Sequence, residues 1–466
     1  MKKELQNFRI ADFALRTSFT DIGDENIDQL KRHLLDALGS LFHAMDKPPV
    51  QKLIQQLKLL GEGGNCRVPV LGRLACDRAA QLYTALIRYP DFMDNYMGKE
   101  ATCHPSDNIG ALLSASQMTN VSGQEFLTAM AIAYQVECRL VNEIPVMKEG
   151  IDHTLLLSYS IVAGVSKLLG LGKKQIGHAL GMAGCSLAPM VTSRAAYTFE
   201  WKGIASSMDA LDCMNIVLLA QQGMTGPVGL FEGPKGFHEV FGMKLDYDWE
   251  QEGFDLIPKC VLKRYNAEVH SQASLDAAIH LKQQYQFDAA DIAGVDVTTF
   301  LTAYHIIGSG AYGNRKIVKT KEQADHSLHY LIAVALLDGD VWPEQFLPGR
   351  INSDDVQGLL QKVKVHTMSP LHKPVVLAGL LDPYTESYPE KMRTKVTIKM
   401  KNGQVYVREQ DDYPGFFTRP LNWQQTIEKF KRLCSGVIDD ARQEAVISAV
   451  RNLEHGSMDA LIDIIV

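Results

Sequence analysis

The stretch richest in reactive side chains runs Tyr89-Pro90-Asp91-Phe92-Met93-Asp94-Asn95-Tyr96-Met97-Gly98 and on to Thr102-Cys103-His104-Pro105-Ser106-Asp107-Asn108. Carboxylates, an amide, a hydroxyl and an imidazole crowd there into a segment without periodicity, between two helical patterns. Loops held by rigid elements are where binding and catalytic groups concentrate. Asp91, Asp94, Asn95 and His104 are its candidates, and an imidazole among carboxylates is suited to proton transfer. The same residues also read as a loop ended by His104-Pro105, with Ser106 or Asp107 capping the next helix, and that cap is expected in either case.

Four further groups stand out, three at the openings of helical patterns and the Lys263 group at the junction between the helical body and the insertion. Gly150-Ile151-Asp152-His153 precedes an apolar helix, where the dipole disfavours an imidazolium and leaves His153 a neutral base; the alternative is a histidine that caps the helix. Glu200-Trp201-Lys202-Gly203 opens another, and a lysine set against the positive end of a dipole suggests an anionic ligand, the alternative being an ordinary solvated lysine. Lys263-Arg264-Tyr265-Asn266 with His270 offers adjacent cations for a carboxylate, arginine supplying bidentate geometry, or else forms a solvated basic turn. In Asp325-His326-Ser327-Leu328-His329-Tyr330, Asp325 or Ser327 serves as a cap. His33, His43, His178 and His280 lie within helical patterns and read as structural.

No zinc motif, P-loop or GxSxG elbow is present, and the glycines from Gly223 to Gly236 lack nucleotide-binding spacing. The eight cysteines are scattered, without a CxxC pair, and read as small core residues. No metal and no cofactor is therefore expected.

The elements that must hold these groups are mostly helical. Ile27, Leu30, Leu34, Leu38 and Leu41 form one stripe over 26–45, and Ser122 with Glu125 is spaced as a capping box. Helices are also expected over 154–169, 173–187, 203–222 and 425–452, with no convincing strand in the first 260 residues. Period-two, β-branched runs then appear at 292–300, 363–366, 394–400 and 405–408, the last two flanking Asn402-Gly403 as a hairpin would, with helices near 268–285, 323–337 and 353–361. The expected fold is mainly α with an α+β insertion: a helical domain over 1–265 and 417–466, and a smaller α+β lid over 266–416, with the active site in the cleft between them.

At 466 residues, two domains are the default. Hydrophobic residues at 46% and charged residues at 22% describe a folded chain rather than a disordered one. A net charge of −7 without a basic stripe argues against a nucleic-acid partner. No run of about 18 apolar residues suggests a membrane span, and the polar start suggests no signal peptide, so a cytoplasmic protein is expected.

Together, HPSDN at His104 to Asn108, GxDH at Gly150 to His153, Lys202, and ADHSLxY at Ala324 to Tyr330 resemble the MmgE/PrpD family, in register over nearly the whole chain. The resemblance implies a homodimeric, cofactor-independent lyase acting on a small di- or tricarboxylate. It places Asp91, Asp94, His104, His153 and Lys202 at the family's active-site positions, with Lys263, His270 and Tyr330 joining from the lid side. Family dehydratases carry a threonine where this chain has Asn95, and Gly98-Lys99-Glu100 also departs from their loop. The HPSDN motif favours a hydro-lyase of the 2-methylcitrate dehydratase type. A decarboxylase of the cis-aconitate type, an iminodisuccinate epimerase and an inactive scaffold are the alternatives. In the dehydratase reading the cations, Arg264 among them, hold carboxylates while one of His104 and His153 takes the α-proton and the other protonates the departing hydroxyl.

Overall fold

The stripe from Ile27 to Leu41 is the buried face of an α-helix, Asp24–Ala44, in the computed structural model, which describes residues 4–61, 63–98, 101–193, 198–308, 314–368 and 382–466. Lys99 and Glu100 lie outside the described residues. The chain divides into two units. One comprises Met1–Val191, Gly203–Leu262 and Leu421–Val466; the other comprises Thr192–Lys202 and Lys263–Pro420. The second unit thus also takes in a short excursion ending at Lys202, which lies outside the 266–416 span read from the sequence.

The first unit is a helical body. Ser122 Oγ accepts from the Glu125 N–H at 3.3 Å and the Glu125 carboxylate accepts from the Ser122 N–H at 2.8 Å, so the helix Gly123–Glu143 begins with a capping box. Cys76–Arg88 packs along Asp107–Ala115 closely enough that a Cβ on Gly110 would lie 2.3 Å from the Thr84 backbone nitrogen. That approach brings the start of Asp107–Ala115 beside the end of Cys76–Arg88. The last fifty residues return to the body, where Trp423–Cys434 packs on Asp24–Ala44 and Lys429 Nζ pairs with Asp36 Oδ1 at 2.7 Å.

Two expectations for this unit need correction. The run 425–452 is two helices, Trp423–Cys434 and Asp440–Arg451, interrupted where Gly436 takes a φ of 75°, a conformation glycine adopts without steric cost. Short antiparallel ribbons also exist before residue 260: Cys66–Val68 with Gly72–Leu74, and Tyr96–Met97 with Thr102–Cys103. Pairings of two or three residues are too short to leave a period-two signature.

The second unit is α+β. Its sheet runs in the order Val363–His366, Ile292–Thr299, Thr394–Met400, Val405–Gln410, with the first pair parallel and the others antiparallel. Inner and outer positions alternate along Thr394–Met400, whereas Val405–Gln410 is a half-exposed edge. The hairpin turn spans Lys401 to Gly403, closed by Met400 and Gln404, with Gly403 at φ 88°; Asn402-Gly403 therefore sits in a three-residue loop rather than a two-residue turn. The helices Gln272–Tyr285, Leu328–Asp338 and Asp354–Lys362 complete the unit, with Gln272–Tyr285 and Leu328–Asp338 packed together. Among the described residues no helix is long and apolar enough to cross a membrane.

Two glycine substitutions separate close packing from helix propensity. Gly110→Ala is expected to destabilise by about 1–3 kcal/mol, because the new methyl group meets backbone that cannot swing aside. Gly358→Ala, in the Asp354–Lys362 helix with nothing within 4 Å of its Cβ position, is expected to stabilise by about 0.5–1 kcal/mol. Urea unfolding midpoints of the two variants should move in opposite directions.

Candidate active site

Asp94 organises the first unit's site. Its side chain is buried, with Oδ2 against His33 Nδ1 at 2.8 Å and accepting the Tyr134 hydroxyl at 2.8 Å, while Oδ1 accepts the Ser106 N–H at 2.9 Å. Desolvation alone would raise its pKa, but the His33 and Ser106 contacts outweigh burial and hold it below the ordinary carboxylate value. Burial and the adjacent Asp94 charge keep the Tyr134 hydroxyl protonated, as its donor role requires.

The Asp94 contact with Ser106 corrects an expectation. Ser106 is the N-cap residue of Asp107–Ala115, yet its hydroxyl makes no capping bond. The N–H groups of Asp107, Asn108 and Ile109 donate instead to the His104, Pro105 and Ser106 carbonyls, and Asp94, twelve residues earlier, accepts the N–H of Ser106 itself. The short ribbon Tyr96–Met97/Thr102–Cys103 turns the chain back so that this contact can form.

The same fold-back sets His104. Its Nδ1 lies 3.0 Å from the Asp94 carbonyl oxygen and 3.0 Å from the Asn95 side-chain amide. A carbonyl oxygen can only accept, so Nδ1 carries the hydrogen and the neutral ring presents Nε2 as its basic nitrogen. Asn95 Oδ1 has no hydrogen-bond partner as placed, and turning the amide over brings it to the Nδ1 hydrogen. The His104 and His153 rings lie with their centroids 5.7 Å apart, edge to face, and both are buried. His153 stands at the N-cap of Thr154–Leu168 but does not cap it; Asp152 Oδ1 accepts the Thr154 N–H at 3.1 Å, leaving the imidazole out of that role.

Asp91 lies at the other end of the loop, with φ at 55°, a left-handed conformation that aspartate tolerates better than most residues. Its Oδ1 accepts from Arg88 Nη1 at 3.2 Å, and Arg88 Nε is 3.6 Å from Asp107 Oδ2. Arg88 therefore links the loop to the helix that follows it. Lys429 Nζ donates to the Phe92 carbonyl at 2.6 Å, fixing the loop from the C-terminal helices. Behind it, Asn108 Nδ2 donates to Glu137 Oε2 at 2.8 Å, and Glu137 is protonated because burial pushes its pKa well up.

The remaining candidates belong to the second unit, where two buried carboxylates each hold an imidazole. Glu268 Oε1 contacts His270 Nδ1 at 2.6 Å, and His270 Nε2 reaches the Tyr388 hydroxyl at 3.0 Å. Asp325 Oδ1 contacts His326 Nδ1 at 2.6 Å while Oδ2 pairs with Lys321 Nζ at 2.8 Å. Burial opposes ionisation at both, yet Glu268 stays below the ordinary value because of His270, His326 and Lys263, and Asp325 because of Lys321, His326 and Lys202. Lys202 and Lys263 are therefore buried members of this charged group rather than solvated lysines. Lys202 lies within a short turn, Glu200–Gly203, and does not open the α-helix Ser206–Gln221, as its spacing had suggested.

Two candidates are engaged elsewhere in this unit. Arg264 forms a two-pronged ion pair with Asp340, at 2.9 and 3.3 Å, and its guanidinium stacks over Trp342. The Tyr330 hydroxyl donates to the Gln345 carbonyl. Ser327, not Asp325, caps Leu328–Asp338 by accepting the Tyr330 N–H at 3.1 Å. Burial pushes His329 down to about 3, so it stays neutral at physiological pH.

Sequence reasoning missed Arg88, His33, Glu137 and Glu268, each of which is silent until its partner is known. Only Arg88, three residues before Asp91, carried a local signal.

The MmgE/PrpD N-terminal domain matches residues 8–250 and the MmgE/PrpD C-terminal domain matches 265–455, so the chain belongs to the MmgE/PrpD family. It is 26% identical over 402 residues to 2-methylcitrate dehydratase of Escherichia coli strain K12, covering 82% of this chain and 80% of that protein. It is 23% identical over 474 residues to human cis-aconitate decarboxylase, covering 97% of this chain and 92% of that protein. A fungal alkylcitrate dehydratase is 27% identical over 382 residues, covering 76% of this chain and 72% of the fungal protein.

The central role of Asp94 has a measurable consequence. Asp94→Asn should cost about 3–5 kcal/mol at neutral pH, since the amide leaves His33 and the Ser106 N–H without an anion. Because the folded pKa is depressed, the carboxylate's contribution is complete above the unfolded value of about 3.9 and is lost as pH falls through the folded value. Urea titrations should therefore show the gap between wild type and variant closing only in acid.

Proposed function

We propose that this protein is a hydro-lyase acting on a small di- or tricarboxylate, of the 2-methylcitrate dehydratase type, and that His104 and His153 carry its proton transfers. The observation behind this is the pair of buried imidazoles, one of which has its basic nitrogen defined by the Asp94 carbonyl. One histidine removes the proton α to a substrate carboxylate, and the electron pair is delocalised onto that carboxylate. The β-hydroxyl then leaves as water, taking its proton from the other histidine. The cations Lys202 and Lys263 suit binding of substrate carboxylates and of the charge that builds in the transition state. Asp91, Asp94 and Asn95 position the histidine loop. His270, Arg264 and Tyr330 shape the second unit around the anion-binding lysines. The enzyme is taken to be a cytoplasmic homodimer that works on its side chains alone.

A decarboxylase is the second reading, because the human cis-aconitate decarboxylase aligns over 97% of this chain. One histidine would then protonate carbon after carbon dioxide departs.

EDTA-treated protein incubated with 2-methylcitrate, citrate, cis-aconitate and iminodisuccinate in deuterated water, followed by NMR, tests these readings. An unsaturated tricarboxylate from 2-methylcitrate is the expected product. Itaconate from cis-aconitate would transfer the assignment to decarboxylation, deuterium exchange without net conversion would favour epimerisation, and no change in any substrate would overturn the proposal. His104→Gln and His153→Gln should each lower kcat/KM by roughly 100- to 10,000-fold with little change in melting temperature.

A further inference from the structure

Arg315 is absent from the roles above, and its side chain is in an unusual state. It is only 6% exposed, and its backbone is pinned where its carbonyl accepts the hydroxyl of Ser327, the residue that caps Leu328–Asp338. Yet Nε and Nη2 of its guanidinium have no hydrogen-bond partner among the described residues. A buried cation with unmet donors is costly and persists where something else completes it.

The two carboxylates whose charge reaches Arg315 are Glu268 and Asp325. Both are committed to other groups. Glu268 receives the His270 N–H at 2.9 Å and contacts the His270 ring at 2.6 Å; Asp325 is divided between His326 and Lys321. Neither bonds to Nε or Nη2, so the two acids supply a field that favours the charged guanidinium without occupying its donors.

Nε and Nη2 form one edge of the planar group, two parallel N–H bonds spaced to meet both oxygens of one carboxylate. Lys202 and Lys263 act on the same two acids, Lys202 on Asp325 and Lys263 on Glu268. The unoccupied edge thus belongs to a buried cationic group in the second unit.

We propose that Arg315 is a substrate-binding residue whose Nε–Nη2 edge clamps one carboxylate of the polycarboxylate substrate side-on. This rests on the lyase reading above, and it adds a specificity determinant: a ligand whose carboxylate is replaced by a neutral amide loses the fork.

The test uses full-length protein and propane-1,2,3-tricarboxylate, which lacks a hydroxyl to eliminate, titrated calorimetrically into wild type, Arg315→Gln and Arg315→Lys, with melting temperatures of the unliganded proteins recorded in parallel. Arg315→Gln is expected to bind roughly 10- to 100-fold more weakly, Arg315→Lys to recover part of that loss through charge without the fork, and neither to melt lower than wild type. Unchanged affinity in Arg315→Gln alongside normal wild-type binding would overturn the clamp and leave the lyase reading standing. So would a fall in unliganded melting temperature that Arg315→Lys restores together with full affinity, the signature of a structural arginine. Absence of binding by wild type, together with silence in the turnover assay, would overturn the lyase reading and the clamp with it.

Discussion

A carboxylate removed from water keeps its charge only if donors replace the solvent, and Asp94 is met from three parts of the chain: an imidazole at residue 33, a phenol at 134 and a backbone N–H at 106. None of these contacts can be dropped without leaving a buried charge short of partners. The loop must therefore close in one way, with the Tyr96–Met97/Thr102–Cys103 ribbon turning it and the Asp107–Ala115 helix starting where the carboxylate can reach the Ser106 N–H. His104 is carried along by the same closure, because the carbonyl that fixes its tautomer belongs to Asp94 itself. Charge satisfaction, helix initiation and the proton inventory of the imidazole are thus one constraint seen at three atoms.

The supports around this centre show why the rest of the helical unit is built as it is. Arg88 ends the helix before the loop and reaches both Asp91 and Asp107, so the two helices flanking the loop share a cation. The close approach at Gly110 makes that reach possible. Lys429, from the returning C-terminal helices, divides its ammonium between Asp36 and the Phe92 carbonyl, so the last segment of sequence helps fix the loop near residue 92. Buried ion pairs contribute little net stability compared with well-packed apolar groups, and their value here is in specifying one loop conformation.

What could be read from sequence divides along physical lines. Helix faces and the hairpin were legible because periodicity and turn chemistry are local, as the Ile27 to Leu41 stripe, the Ser122 capping box and Asn402-Gly403 show. His104, His153, Lys202 and Lys263 are all buried rather than solvated. Partnerships were not legible. Ser106 looked like a cap because its residue type does not reveal that the helix's first N–H groups bond to backbone carbonyls, and Arg264 looked like a free cation because Asp340 is 76 residues away. His33 was set aside as structural; it is a hydrogen-bond partner of Asp94.

The two units handle buried charge in different ways, and the difference bears on chemistry. In the first, Asp94 meets three donors and stays below the ordinary carboxylate value, while burial pushes the Glu137 pKa well up. In the second, Glu268 and Asp325 are ionised, but each already has its imidazole, and the cations Lys202, Lys263 and Arg315 are arrayed around them with the Arg315 fork unfilled. An unfilled cationic edge is what a site awaiting an anion requires: the missing acceptor arrives with the ligand, and the desolvation cost already met in folding does not have to be met again on binding.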